Sequence, residues 1–303
     1  MGETLNEKKG MKSWQADMLL VVITMCWGFS YMLMDLTLEV MDPFTLNMYR
    51  FLLGGFVAFA ISAKRVIKAL NKTTIKYGVL MSLALSLTYI CATFGVKFTS
   101  ISNSGFLCAM TVVFIPFISF FFLRQKQDLK TIIAVLMSVV GIALLTLNDD
   151  FSINLATLKG DLLCLGCGFF YGIDVLLTEK AVSDDRVDPY SVGVVQLISV
   201  GIINLILTLL FGSPCLPSTP LTWFSTIFLA LFCTGLAFVI QPIAQQYTTA
   251  ARVGIIFTLE PVFNVIVAFF IVKEVLSVKS YIGGLIMVLA IVFMELDFKP
   301  KRS

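Results

Sequence analysis

The chain has 303 residues, of which 58% are hydrophobic and 14% charged, and its mean hydropathy is +0.94. Soluble domains carry roughly 25% charged residues, so a soluble core could not bury this much apolar surface. The net charge of +3 is small and spread along the chain, which argues against nucleic acid as a partner. Membrane lipids are the expected surroundings, because a hydrocarbon solvent accepts apolar side chains.

Predominantly apolar stretches long enough to span a membrane follow one another along the chain, joined by short connections. The basic start resembles a signal peptide, but its apolar part is too long and no small-residue cleavage site follows. An uncleaved first helix is therefore predicted. The ten predicted spans are 16–37, 44–63, 77–96, 100–122, 129–147, 160–179, 190–211, 221–243, 250–272 and 280–296.

The short connections predict the orientation of these spans. With the N-terminus in the cytoplasm, 17 Lys and Arg residues lie in cytoplasmic segments and 4 lie in outer segments. Cytoplasmic loops of membrane proteins carry such an excess of basic residues. An even number of helices with both termini in the cytoplasm fits this bias, whereas an odd number would degrade it.

The second half of the chain repeats the first. Residues 87–107 align with 236–256 at an offset of 149, and the match continues into the following helix. Each repeat contains five predicted helices, and five is odd, so the second copy must enter the membrane upside down. The sequence thus predicts an all-α membrane protein of two inverted repeats, residues 1–147 and 148–303. Further matches are Trp27-Gly28 with Tyr171-Gly172 at offset 144 and Asp42-Pro43 with Asp188-Pro189 at offset 146.

Inverted repeats are typical of secondary transporters, which bind substrate near the membrane midplane between the two halves. Prolines inside predicted helices 4, 8 and 9 remove backbone hydrogen bonds and permit kinks. These residues, Pro116, Pro242 and Pro261, are out of register between the repeats. They predict bending of the helices and carry no symmetry of their own.

Several segments resemble a known family of membrane carriers. Trp27-Gly28, the block "GFLCAMTVVFIPFISFFFLRQK" and the block "LEPVFNVIVAFFIVKEVLSVKSYIGGLIMVLAIV" resemble the drug/metabolite transporter superfamily, and most closely its EamA-type ten-helix exporters. The resemblance covers nearly all of residues 16–296. It implies a multi-pass carrier of the bacterial inner (plasma) membrane that exports small metabolites, often amino acids, and is not an enzyme. Lys273-Glu274 fits the family's usual Gly-Glu only at Glu, and the first repeat has Gln125 there, so this position is interpreted as structural.

Polar residues recur at helical spacing inside the apolar spans and indicate a central polar face. A charge at bilayer depth costs roughly 2.5–3.5 kcal/mol, so it normally faces a cavity or a partner. On helix 6, Asp174 shares a stripe with Tyr171, and both are expected to face a cavity together with Glu260. The predicted substrate-binding residues are Trp27, Tyr31, Asp35, Arg50, Tyr89, Tyr171, Asp174, Gln241, Gln245, Phe257, Glu260 and Asn264.

The deep charged residues leave alternatives open. Asp35 could be solvated or paired with Arg50, and Arg50 could anchor a substrate carboxylate or only neutralise Asp35. Glu260 precedes Pro261 and could serve helix geometry, whereas Asp174 is the deepest acid. Three acids against one base suggest that one acid is protonated or meets a cationic ligand. The aromatic candidates predict a cavity wall on which cation–π contact can occur.

Cys164 and Cys167 lie three residues apart, but the chain contains no His and no second such pair, so packing is favoured over a metal site. The sequence therefore predicts no cofactor, no metal and no catalytic residues. The favoured function is export of an amino acid, with a cationic one such as lysine preferred, coupled to protons by alternating access. The partners are the substrate and protons, and the protein is a monomer or homodimer. Alternatives are a neutral or aromatic amino acid, a polyamine, a drug-like cation, a receptor-like sensor or a membrane-embedded enzyme.

Overall fold

Seven of the helices are continuous in the computed structural model, which describes residues 11–122, 124–146, 157–273 and 277–295. No strand is present in these ranges, and each predicted span corresponds to helical structure. The prediction of an all-α membrane protein is therefore confirmed. Apart from a kink in α2 at Ser62, whose backbone is not helical, the continuous helices are α1 (Ser13–Leu38), α2 (Pro43–Ala69), α3 (Lys72–Phe98), α5 (Leu129–Thr146), α6 (Leu158–Val182), α7 (Pro189–Phe211) and α10 (Val278–Glu295).

Three helices consist of segments. The helix α4 comprises Ile101–Cys108 and Thr111–Phe121. The helix α8 comprises Pro220–Ala230, a π-helical turn over Leu231–Leu236, and Ala237–Gln245. The helix α9 comprises Ala250–Phe257, Leu259–Val267 and a π-helical end over Ala268–Val272. Within the described residues, eight helices are long and apolar enough to cross a membrane, and α5 contributes the shorter apolar stretch Leu129–Gly141.

The breaks in α4 and α9 fall at equivalent positions of the two repeats. The break in α4 begins at Ala109 and that in α9 lies at Thr258, which are 149 residues apart, the offset of this part of the repeat. Pro261 explains the break in α9, because its ring clashes with a carbonyl one turn earlier. Pro116 lies further from the break in α4. The prolines are thus out of register, as the sequence indicates, whereas the breaks are in register.

The packing of the helices has the pattern of a twofold axis between the halves. The helix α2 packs on α7 and α5 on α10, so each of these helices contacts its own equivalent in the other repeat. The remaining contacts occur in matched pairs: α3 packs on α6 as α8 packs on α1, and α4 packs on α6 as α9 packs on α1. Eight helices, α1–α4 and α6–α9, therefore surround the centre, and α5 and α10 lie outside them.

Aspartates at equivalent positions start α2 and α7 and tie the two helices together. Asp42 and Asp188 each accept hydrogen bonds from backbone N–H groups of the following helical turn, and each precedes a proline at the first helical position. Asp42 also accepts from the backbone N–H of Ser213 beyond the end of α7, at 3.0 Å. Asp188 forms an ion pair with Arg65 of α2, at 2.6 Å. The α2–α7 pair is thus fastened at both of its ends.

Two faces of the molecule are defined by these connections. The α1–α2 face carries the α1–α2, α3–α4 and α7–α8 connections, and the α6–α7 face carries the α2–α3, α6–α7 and α8–α9 connections. The distribution of Lys and Arg predicts that the α6–α7 face is cytoplasmic.

Candidate functional site

A cavity of about 50 Å³ lies between the halves, in contact with α1, α2, α3, α4, α6, α8 and α9. The residues from α1 to α4 that line it lie between the middle of each helix and the α1–α2 face. The cavity is therefore displaced from the centre of the molecule toward that face. Its lining consists of Trp27, Ser30, Tyr31, Met34, Arg50, Thr88, Tyr89, Ala92, Cys108, Cys167, Tyr171, Phe238 and Glu260.

Arg50 is the cationic group of the cavity and is only 1% exposed. Its Nε donates to the hydroxyl of Thr234 at 3.1 Å, and its Nη1 donates to the sulfur of Met34 at 3.0 Å. The guanidinium carbon lies 4.8 Å from the centre of the Tyr89 ring. Within the described residues, no carboxylate lies at ion-pair distance from it. A buried charge without a counter-ion is costly.

Glu260 is the carboxyl group of the cavity. It lies in the first turn of the second segment of α9, directly after the break at Thr258. This position favours a negative charge, because helix N-termini carry unpaired N–H groups and a positive partial charge. The hydroxyl of Tyr31 donates to its Oε1 at 2.7 Å. The structure places no Lys or Arg of the described residues in an ion pair with it.

Aromatic rings form the wall of the cavity, with Trp27 at their centre. Its ring lies 5.6 Å from that of Tyr171, 5.7 Å from Phe238 and 4.9 Å from Phe257. Tyr89 contacts Phe238 in turn, at 5.8 Å between ring centres. These edge-to-face and tilted contacts make a stiff apolar surface. Phe257 lies behind this surface, where its ring stacks on Tyr171 at 5.7 Å.

The π-helical turn of α8 positions both Trp27 and Arg50. Its Cys233 carbonyl accepts a hydrogen bond from the Trp27 indole at 2.8 Å, and the next residue, Thr234, accepts from Arg50. The backbone of α2 approaches this turn so closely that a Cβ added to Gly54 would lie only 2.5 Å from the Ala230 carbonyl oxygen. Turns of π-helix inside α-helices are frequent at functional sites, and this one aims two groups at the cavity.

Six of the predicted site residues line the cavity: Trp27, Tyr31, Arg50, Tyr89, Tyr171 and Glu260. The other six lie elsewhere. Asn264 donates to the carbonyl of Ile101 at 3.1 Å and so joins α9 to α4, and Phe257 supports the aromatic wall. Asp35 is exposed near the end of α1 and does not pair with Arg50, contrary to that alternative.

Asp174, Gln241 and Gln245 lie nearer the α6–α7 face, so the expectation that Asp174 faces the cavity is wrong for this conformation. Asp174 is buried and accepts from the Gln196 amide at 2.6 Å. Gln241 accepts from the Tyr171 hydroxyl at 2.8 Å and donates to Gln245 at 3.1 Å. Gln245 donates to the Val175 carbonyl at 3.1 Å. These hydrogen bonds join α6, α7 and α8 and close the space between the cavity and the α6–α7 face.

Seven lining residues are not among the predicted ones: Ser30, Met34, Thr88, Ala92, Cys108, Cys167 and Phe238. The repeat contains a signal for four of them. Ser30 is the equivalent of Asp174 at offset 144. At offset 149, Ala92 is the equivalent of Gln241, Cys108 of Phe257, and Phe238 of Tyr89. All seven cysteines of the chain are described and none is in a disulfide. In the described ranges, no group of three Cys, Asp or Glu side chains is arranged to hold a metal ion.

Two pseudo-symmetric helical halves around a cavity with buried charges define a membrane transport protein built from inverted repeats. The model of the EamA-like transporter family matches residues 14–147 and again residues 158–296. The chain therefore belongs to the EamA-like transporter family, and the resemblance inferred from its motifs is confirmed.

Curated relatives carry transporter names. An uncharacterized transporter of Archaeoglobus fulgidus is 25% identical over 290 residues, which cover 95% of this chain and 88% of the relative. Another, of Methanothermobacter thermautotrophicus, is 27% identical and covers 88% of this chain and 82% of its own length. The uncharacterized transporter YoaV of Bacillus subtilis is 20% identical over 93% of this chain and 97% of its own. These names point to a multi-pass membrane transporter rather than an enzyme.

A solved crystal structure has the same fold. It superimposes with a TM-score of 0.76 at 16% sequence identity, over 93% of this chain and 96% of that chain. At this identity the likeness extends to the arrangement of helices alone.

Proposed function

We propose that this chain is a secondary transporter that exports a small zwitterionic metabolite, a neutral amino acid, across the cell membrane. The observation that carries the proposal is the pair of charges in the cavity. Arg50 and Glu260 line the same space, yet neither is ion-paired with the other or with any other described residue. An α-amino acid supplies both missing partners, a carboxylate for Arg50 and an ammonium group for Glu260.

The balance of charge in the cavity favours a neutral amino acid over a cationic one. The expectation of lysine depended on three deep acids against one base, but Asp35 is exposed and Asp174 lies outside the cavity. One acid and one base remain. A polyamine or drug-like cation would leave the Arg50 guanidinium without an anion. The aromatic wall around Trp27 suits an apolar side chain, as in leucine or phenylalanine.

Alternating access follows from the arrangement of the halves. The cavity lies toward the α1–α2 face, and the hydrogen bonds of Gln241 and Gln245 close the opposite side. Because the halves are pseudo-symmetric, an exchange of their conformations would close the present side and open the other. The direction of net transport, outward from the cytoplasm, is the one implied by the exporter motifs of the sequence.

Binding of three related probes to the purified protein tests the proposal. Leucine carries both charges, isopentylamine lacks the carboxylate, and 4-methylpentanoate lacks the ammonium group. Wild type should bind leucine at least tenfold more tightly than either of the others in a thermal-shift titration. Arg50→Gln should abolish the preference for leucine over isopentylamine, and Glu260→Gln the preference over 4-methylpentanoate.

Two further measurements complete the test. One is the binding of lysine, and the other is the counterflow of radiolabelled leucine in proteoliposomes. We expect lysine to bind more weakly than leucine, because its second ammonium group meets the aromatic wall. Equal binding of leucine by wild type and both variants would refute the assignment of the two charges. Binding of lysine or isopentylamine in preference to leucine would refute the zwitterionic substrate and restore the cationic one.

A further inference from the structure

Asp174 is a buried carboxyl group that the proposed binding site does not use. Its side chain is 0% exposed, and its Oδ1 accepts one hydrogen bond, from the Gln196 amide of α7. Its Oδ2 is also buried and has no hydrogen-bond partner in the described structure. The hydroxyl of Thr178, one turn later on α6, donates to the Asp174 backbone carbonyl and not to its carboxyl group.

The helices packed around α6 bring no counter-charge to this carboxyl group. Their titratable groups near the centre are Tyr89 of α3, Cys108 of α4 and Glu260 of α9, which line the cavity, and Cys91 of α3, which packs on Gly166. Nearer the α6–α7 face, Tyr77 of α3 packs against the cluster that contains Ala181. Tyr171 of α6 itself donates its hydroxyl to Gln241, and α7 and α8 present uncharged amides. Among described residues, no Lys or Arg forms an ion pair with Asp174.

An ionised carboxylate at this place would be a buried charge with a single amide donor, which is far more costly than the neutral acid. The closed α6–α7 face is therefore compatible with Asp174 only when the carboxyl group carries a proton. The carboxyl group then needs water, or another donor, before it can lose that proton.

The repeat predicts the position of Asp174 in a conformation in which the two halves have exchanged their arrangements. The equivalents of the present lining residues would then form the cavity: Tyr171 for Trp27, Asp174 for Ser30, Thr178 for Met34, and Gln196 for Arg50. Asp174 and Gln196 would thus leave their buried contact and face a cavity open to the α6–α7 face. In that conformation water reaches the carboxyl group, and the ionised form is no longer penalised.

We propose that Asp174 and Gln196 form a proton-binding site that fills when the α6–α7 face closes and empties when it opens. The inference rests on the alternating access of the proposed function. One proton from the solution on the α6–α7 side joins the carboxylate as this face closes, and it returns to that side on opening. Acidification on this side, predicted to be the cytoplasm, favours the conformation seen here and slows the return to the opposite one.

A cysteine at Thr178 reports on this equilibrium. The side chain is buried here, but its position becomes part of the cavity wall in the opposite conformation. Thr178→Cys should therefore react with a hydrophilic thiol reagent only in that conformation, and mass spectrometry distinguishes it from the native cysteines. A change in the conformational ratio linked to one proton reaches tenfold per pH unit, and the labelling rate should rise accordingly as pH increases.

Asp174→Asn and Asp161→Asn make a matched pair in the Thr178→Cys background. Both change a carboxylate of α6 to an amide, but Asp161 lies at the other end of the helix, bonded to Thr99 and Thr157. The Asp161→Asn form should keep the pH dependence of the parent. The Asp174→Asn form imitates the protonated acid, so its labelling should stay slow at every pH. The ratio of the two rates cancels the pH dependence of the thiol reaction itself.

Equal pH profiles in the two forms would overturn the proposal, and so would the absence of labelling in the parent at any pH. If Asp174→Asn does not fold, Gln196→Leu replaces it. The amide donor contacts the carboxyl group only in the closed, protonated form, so its removal should displace the labelling curve by about one pH unit toward the acidic side. An unchanged curve would count against the proposal. Leucine binding to each form, measured by thermal shift, tests the proposed function separately. If leucine binds and the profiles are equal, the proton site alone fails.

Discussion

Thr234→Val tests whether the π-helical turn of α8 sets the position of the cavity guanidinium. The hydroxyl of Thr234 accepts from Arg50 at 3.1 Å, and both side chains are almost fully buried. Valine has nearly the same shape, so the change removes the acceptor without opening a cavity. A hydrogen bond to a charged group contributes about 1.5–3 kcal/mol, which corresponds to roughly 10- to 150-fold in an equilibrium constant.

Arg50 keeps its contacts with Met34 and Tyr89 in the variant. Part of the lost hydrogen-bond free energy should therefore appear as lower stability and part as weaker ligand binding. We expect the Kd of leucine to rise about tenfold or more, with little change for isopentylamine, which has no carboxylate. The assay is a thermal-shift or calorimetric titration of both probes. Thr234→Ser restores the hydroxyl and should restore the affinity for leucine. A Thr234→Val protein that binds leucine as wild type does, or that weakens both probes equally, would show that Thr234 does not orient Arg50.

Two further predictions concern the ends of the helices. Asp188→Ala removes the cap of α7 and its ion pair with the half-exposed Arg65, and should lower the free energy of unfolding by about 1–2 kcal/mol. Burial raises the pKa of Asp188, but hydrogen bonds from Arg65 and Ser191 outweigh this and hold it below its ordinary value. Its contribution is thus present near neutral pH and lost as pH falls below about 4, so the difference from wild type in thermal unfolding should shrink there. Cys215, in the partly exposed α7–α8 connection, should react with an impermeant maleimide in intact cells. Reaction only after permeabilisation would reverse the predicted orientation.

The helices and their order could be predicted from the sequence because apolar stretches of spanning length are a strong signal. The signal that tells which way a single side chain points is weaker. On α1, steps of four residues connect Trp27, Tyr31 and Asp35, but each step advances about 40° beyond a full turn. The accumulated rotation carries Asp35 out to the surface. Met34, seven residues after Trp27, returns to the same face and lines the cavity, but an apolar residue gives no sign of a polar site.

Depth and local backbone geometry account for the remaining differences. Asp174 is on the predicted face of α6, yet it lies one turn too far toward the α6–α7 face to reach the present cavity. A sequence pattern reflects every conformation of a transporter, whereas the structure describes one of them. Neither the π-helical turn that offers Thr234 to Arg50 nor the break that precedes Glu260 could be predicted from periodicity, because periodicity assumes an unbroken α-helix.

The unequal residues at equivalent positions of the two repeats mean that the halves are not interchangeable parts. A tandem fusion of two first halves would carry a guanidinium at Arg50 and again at the position of Gln196, and serine in place of Asp174. A fusion of two second halves would carry no guanidinium at either position. An ancestral half that worked as an antiparallel pair would have had identical groups on both sides. The joining of two diverged copies in one polypeptide is what permits Arg50 to face a glutamine, and Asp174 a serine, at the equivalent positions.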